Sequence, residues 1–238
     1  MPVTRRTLLA AALPIARVMS QVKADRHLKV VVTGGHPGDP ECGCGGLIAR
    51  YTAAGHDVVL LYLNRGEGYC GRAELSACGG IRTSEAENAC RILKARAAFA
   101  GQYDGRAIVD GPHYEEFRRL LEAEKPDVLF THWPLDKHRD HRAISSLVLD
   151  AWLAGGKKSA LCFYEVADDT MMFTPTEFVD ISAVESQRHA ACFAHASQQP
   201  EKWYPQQVEI TRAHGAKAGV TQAEGYLRHV DSRGGLLP

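Results

Sequence analysis

Two short segments carry side chains able to do chemistry. His36-Pro37-Gly38-Asp39-Pro40-Glu41 puts an imidazole and a carboxylate three residues apart, directly after the β-branched run Lys29–Thr33 and the pair Gly34-Gly35. His138-Arg139-Asp140-His141 follows a second apolar run. Neutral imidazole nitrogens with one carboxylate suit a borderline cation such as zinc, and three such ligands leave a fourth position open. Water at an open position has its pKa lowered toward neutrality and becomes a nucleophile. A histidine at a strand end also serves as a cap or a surface group, and Asp39 could simply close its turn. Spacing alone leaves both readings standing.

The elements that must position these residues alternate between strand and helix. Apolar runs at Lys29–Thr33, Asp57–Leu63, Ala95–Ala100, Val128–Thr131 and Ala160–Tyr164 read as strands, and Glu177–Asp180 as a short edge strand. Helices are expected over Gly45–Ala54, Thr83–Leu93 with Thr83 as N-cap, Tyr114–Glu124, Ala143–Leu153 and Ala183–His195. Pro205–Arg228 reads as irregular chain followed by helix. This alternation implies the α/β class: a Rossmann-like three-layer α/β/α sandwich with a mostly parallel sheet. Such sheets bind ligands at the carboxyl ends of their strands, and both histidine segments fall there.

Composition narrows the classes. The 238 residues fit one domain of ordinary size, and 28 basic residues against 28 acidic ones give no basic field for nucleic acid. Thr4-Arg5-Arg6-Thr7-Leu8-Leu9 and the apolar run to Ala16 read as a twin-arginine export signal, so residues 1–24 are expected to lie outside a single domain over 25–238. The run is too short to anchor the protein in a membrane. A periplasmic or secreted location follows, and Cys70 with Cys78 would be free to pair there. Cys42-Gly43-Cys44 has no matching second pair, which argues against a zinc ribbon. Gly34-Gly35 lacks the G-x-G-x-x-G spacing of a phosphate loop.

The two segments resemble the first and second motifs, H-P-D-D-E and H-x-D-H, of the PIG-L/LmbE family of zinc-dependent de-N-acetylases. Gly43–Gly46 matches the family's glycine-rich continuation, Arg82-Thr83-Ser84-Glu85 its R-x-x-E, and His195-Ala196-Ser197-Gln198 its H-x-S-Q. The resemblance spans about residues 29–228. It implies a hydrolase that removes an N-acyl group from an amino sugar or a related small molecule. It implies Zn2+ held by His36, Asp39 and His141. His138 would be a protonated imidazole that stabilises the oxyanion or protonates the leaving amine. Asp140 would orient a histidine, and Arg82 and His195 would line the substrate pocket.

Two positions depart from the family: Pro40 replaces the acidic residue that usually follows the ligand aspartate, and Gly38 matters more. Gly38 stands where the family carries the aspartate that takes a proton from water. Three readings follow. Another carboxylate moves in, with Glu41 nearest in sequence and Asp136 or Asp140 approaching from the other loop. Alternatively zinc and His138 suffice, at a cost of about 10²–10⁴-fold in rate. Or the chain is a weakened or inactive carbohydrate-binding member of the fold. Trp133 and Tyr69 are aromatics that could stack on a sugar or simply pack.

Overall fold

Aliphatic and β-branched runs without polar interruption form strands buried on both faces. The computed structural model describes residues 26–167 and 169–238; the expected export segment lies outside them. In chain order the elements are β1 (Lys29–Gly34), α1 (Asp39–Ala53), β2 (Asp57–Tyr62), α2 (Leu75–Leu93), β3 (Arg96–Phe99), α3 (Gly111–Glu124), β4 (Val128–His132), α4 (Arg139–Ala154), β5 (Ala160–Tyr164), β6 (Glu177–Asp180), α5 (Glu185–Phe193), α6 (Pro200–Ala218) and β7 (Ala223–Arg228), with a 3-10 turn at Ala196–Gln198.

The sheet runs β3-β2-β1-β4-β5-β7-β6. β1, β2, β3, β4 and β5 are parallel, while β7 pairs antiparallel with both β5 and β6. Alternate residues of each central strand feed two cores. Val30, Val32, Leu60 and Phe130 meet α1, α2 and α5 on one face. Val31, Leu61, Leu129 and Leu161 meet α3 and α4 on the other. The result is the three-layer α/β/α sandwich expected from the alternation.

Several elements differ from the sequence reading: α4 begins at Arg139 instead of Ala143, α6 spans Pro200–Ala218 where irregular chain was expected from Pro205, and α1, α2 and β7 differ as follows. α1 begins at Asp39, six residues before Gly45, because Gly38 caps it with φ +107° and Pro40 fits its first turn. The Glu41 carboxylate accepts the Gly38 N–H at 3.1 Å, one half of a capping box. α2 begins at Leu75, and Thr83 is not its N-cap: the Thr83 hydroxyl donates to Gly79 O inside the helix. Strand β7 replaces part of the expected C-terminal helix. Its pattern is masked by Glu224, which is buried and accepts the N–H groups of Gly46 and Leu47 at 2.7 and 2.8 Å.

The start of α1 must lie close against the end of β5. A methyl group added at Gly43 would sit 2.4 Å from Tyr164 Cδ2 and 2.7 Å from Glu165 O. Neither neighbour can swing aside, since one is a buried ring and the other is backbone. Gly43→Ala is therefore expected to lower unfolding free energy by about 1–3 kcal/mol through overpacking. Urea denaturation would measure this, and an unchanged midpoint would show that α1 lifts off the sheet without cost.

Candidate metal centre

The chain leaves β1 toward β2 on one side, while β4 lies on the other, so a crevice opens beyond the carboxyl ends of these two strands. The loop after β1 carries His36 and runs into Asp39, the first residue of α1; the loop after β4 ends on His138, the N-cap of α4, whose first turn carries His141. One oxygen of Asp39 collects them. Asp39 Oδ2 accepts the His36 N–H at 2.8 Å and lies 3.3 Å from His36 Nδ1 and 3.1 Å from His141 Nε2.

The outward nitrogen of each ring is held by a carboxylate. His36 Nε2 lies 3.1 Å from Asp104 Oδ1 and 3.2 Å from Asp140 Oδ2. His141 Nδ1 lies 3.0 Å from Asp136 Oδ1. Those carboxylates are themselves tied. Asp140 Oδ2 accepts from Asn64 and from the Gly105 N–H, and Asp104 Oδ2 from the Gly68 N–H. Asp136 accepts from the His138 N–H and the Thr170 hydroxyl. A carboxylate on the far nitrogen fixes the tautomer and turns the other nitrogen's lone pair inward, as in metal-binding histidines generally.

The electrostatics match a cation site. Burial works against ionisation of Asp39, but the charge of His141 and hydrogen bonds from His141 and His36 hold its carboxyl well below the usual range. Burial likewise opposes charge on His36, yet bonds to Asp104, Asp140 and Asp39 push it well above an ordinary imidazole. His141 is raised to about 9, burial being outweighed by the Asp39 charge and the bond to Asp136. Among the described residues, three overlapping sets of side chains could share a cation: His36 with His138 and His141, Asp39 with His132 and His141, and His36 with Asp104 and Asp140. Imidazoles with a carboxylate are donors of the kind that suit a borderline divalent cation.

A cavity of about 380 Å³ opens over this centre. His36, Asp39, Asp104, His138 and His141 line its floor, with Tyr69, Arg82, His195, Gln198 and Trp203 around them. His138 Nδ1 accepts the Asp140 N–H at 3.2 Å, so its Nε2 carries the proton. Burial, then the charges of His36 and His141, pull His138 below the ordinary imidazole range. This favours a neutral N–H donor over the imidazolium that the motif implied. Asp140 does orient a histidine, but the ring is His36; His141 is oriented by Asp136.

Glu41 is placed differently from the expectation for a base facing the metal. It is fully buried and absent from the cavity lining. Its Oε1 receives the Tyr62 hydroxyl at 2.7 Å and His195 Nε2 at 3.0 Å, while Oε2 takes the Gly38 N–H. The cause is its place in the third helical position of α1, which turns the side chain back under the loop. Arg82 lines the cavity while its guanidinium holds Pro37 O and Glu85. Trp133 packs against Phe163 and Phe173 and takes no part in the cavity.

Sequence reasoning gave no role to three residues, His132, Asp104 and Trp203, and a different one to Asp136. His132, the last residue of β4, stacks on His141 at 4.0 Å and accepts the Gly35 N–H at 3.1 Å. Burial, then the charge of His141, lowers it to about 4, so it is a neutral spacer. Asp104 comes from the loop after β3, and Trp203 from α6. Asp136 had been weighed only as a substitute base. Asp136, two residues before His138, was the one a search for partners near the motif would have found.

Residues 31–152 match the family model described as PIG-L, GlcNAc-PI de-N-acetylase. Diacetylchitobiose deacetylase of Thermococcus kodakarensis is 28% identical over 220 residues, 83% of this chain and 81% of that protein. A conserved protein of Thermus thermophilus superposes with a TM-score of 0.75 at 29% identity, over 87% of this chain and 97% of that one. N,N′-diacetylchitobiose deacetylase from Pyrococcus horikoshii superposes with a TM-score of 0.77 at 22% identity, over 91% and 89%.

Zinc entering this centre must displace the protons held on His36 and His141. The His141 imidazole is raised to about 9 and that of His36 is raised as well, so the competition weakens as pH rises. Affinity is expected to climb with pH by about tenfold per unit for each proton displaced, the part due to His141 levelling off above about 9. Calorimetry in two buffers of different ionisation heat counts the protons. No release at pH 7 would contradict the site as described.

Proposed function

The chain belongs to the PIG-L family of GlcNAc-PI de-N-acetylases, and from that membership we propose that it is a zinc-dependent hydrolase removing an acetyl or other N-acyl group from an amino sugar or a related conjugate. The observation that carries this reading is the pair of inward-turned imidazoles meeting on Asp39 at the floor of a cavity sized for a small ligand. His36, Asp39 and His141 would hold the metal. Zinc bound there would act as a Lewis acid that polarises an amide carbonyl and lowers the pKa of water beside it.

The chain's own residues supply the rest. His138 offers an N–H to the oxygen of the amide as it gains charge. Arg82 fixes the Pro37 carbonyl and so sets the loop that carries two of the ligands. Tyr69 and Trp203 offer ring faces at the cavity wall for a sugar; the Tyr69 carbonyl and the Trp203 indole are both tied to Gln198. Similarity to diacetylchitobiose deacetylase supports a small acetylated sugar as the first substrate to try. The disulfide between Cys70 and Cys78 supports export to an oxidising compartment.

Zinc-loaded protein is expected to release acetate and one new primary amine from N,N′-diacetylchitobiose, and chelation should abolish this. His138→Ala is expected to lower kcat by about 10²–10³-fold, the usual effect of losing one oxyanion donor. One zinc per chain with no turnover across short and long N-acyl amino sugars would instead support a binding protein of the same fold.

A further inference from the structure

Part of the cavity wall is built from chain that the sheet does not hold. β2 ends at Tyr62 and α2 begins at Leu75. Among the described residues, no backbone-to-backbone hydrogen bond joins residues 65–73 to a strand or a helix. Tyr69 lies in the middle of this strap, half exposed, and lines the cavity with Gln198 and Trp203. Such a segment samples many conformations unless something else fixes it.

Helix α2 fixes it from two directions. Cys78, buried in the first turn of the helix, is bonded to Cys70 of the strap. Two turns further on, the Glu85 carboxylate accepts the N–H and the hydroxyl of Ser197 at 2.7 and 2.8 Å, which pins the turn Ala196–Gln198. Strap and turn then meet. Gln198 Nε2 donates to Tyr69 O at 3.0 Å, and Gln199 Nε2 to the Tyr69 hydroxyl at 3.1 Å. Both of these amide bonds are exposed to water, which competes for them and leaves each worth little. The disulfide is the one covalent tie, and it sits next to Tyr69 in the chain.

We propose that the Cys70–Cys78 disulfide is a positioning crosslink, holding Tyr69 as the wall of the cavity against which the sugar of the substrate packs. This rests on the hydrolase reading above. The two cysteines are only 8 residues apart, and so short a loop restricts the unfolded chain less than a long one does. The effect of the crosslink falls on the native strap, which would otherwise have to be ordered each time substrate binds. Both cysteines are buried, so the bond is a standing part of the wall. His36, Asp39 and His141 come from other segments, so the crosslink acts on substrate affinity and not on metal content.

Steady-state kinetics on N,N′-diacetylchitobiose test this. The double substitution Cys70→Ser with Cys78→Ser is expected to raise KM about 3- to 10-fold, the cost of ordering a freed side chain and its loop on binding, with kcat and one zinc per chain kept. Tyr69→Ala, its disulfide intact, should raise KM by a similar factor. Adding it to the serine pair should change KM little further, because the crosslink acts through that ring. A native KM in the serine pair, a fall in kcat alone, lost zinc, or two effects that simply multiply would each overturn the proposal. If the serine pair does not fold, the native chain is treated with a phosphine, which takes up oxygen from water as the two thiols form. Once thiol titration shows the bond open, KM should rise as above and return on reoxidation; an unmoved KM overturns the proposal. Absence of turnover by the native chain sinks the hydrolase reading and this one with it, whereas native turnover with a KM that opening the bond does not move sinks this one alone.

Discussion

The carboxyl end of the sheet is arranged around one half-buried carboxylate oxygen, Asp39 Oδ2, which faces the rings of His36 and His141 at once. A carboxylate out of water is costly unless positive charge or donors surround it. Here the compensation comes in shells: two imidazoles around Asp39, then Asp104, Asp136 and Asp140 around the imidazoles. The outer carboxylates in turn lean on backbone N–H groups, Asn64 and Thr170. Positive charge at the centre reconciles them, whether as protons or as a divalent cation.

The sheet supplies the geometry that this arrangement needs. Adjacent parallel strands β1 and β4 bring the two loops side by side, because the chain reverses its winding direction between them. His132 ends β4 and fills the space behind His141 as a flat neutral ring. α1 starts directly under the centre, its approach made possible by Gly38 at positive φ and by the missing side chain at Gly43. Beneath the loop, Glu41 joins the start of α1 to Tyr62 of β2 and to His195 after α5. The metal loop is thereby coupled to the far wall of the cavity through buried hydrogen bonds.

Legibility along the chain followed the kind of signal involved. Strands β1, β2, β4 and β5 were readable because both of their faces are buried and their residues are uniformly apolar. Helix interiors were readable by periodicity, but the starts of α1 and α2 were not. α1 opens on Pro-Glu-Cys-Gly-Cys-Gly-Gly, a run rich in glycine that propensity alone assigns to a loop. β7 was hidden because its Glu224 and Gly225 look like loop residues, whereas Glu224 is buried against α1 and the Arg188 side chain, with Nε 3.4 Å away. Tertiary partners overrode local preference in each case.

The sequence by itself determined the fold class and which two segments hold the reactive groups, because strand burial and a compact run of imidazoles and carboxylates are local patterns. It did not determine which carboxylate serves which histidine. Asp140 stands next to His141 in the chain yet holds His36, while Asp104, far from either motif, lies on the same ring. Nor could it say where Glu41 points: spacing placed it near the metal, and the turn of α1 sends it inward to His195. Those assignments depend on angles between side chains from four different loops and helices. Such angles exist only once the sheet has brought them together, and so the tertiary structure alone decided them.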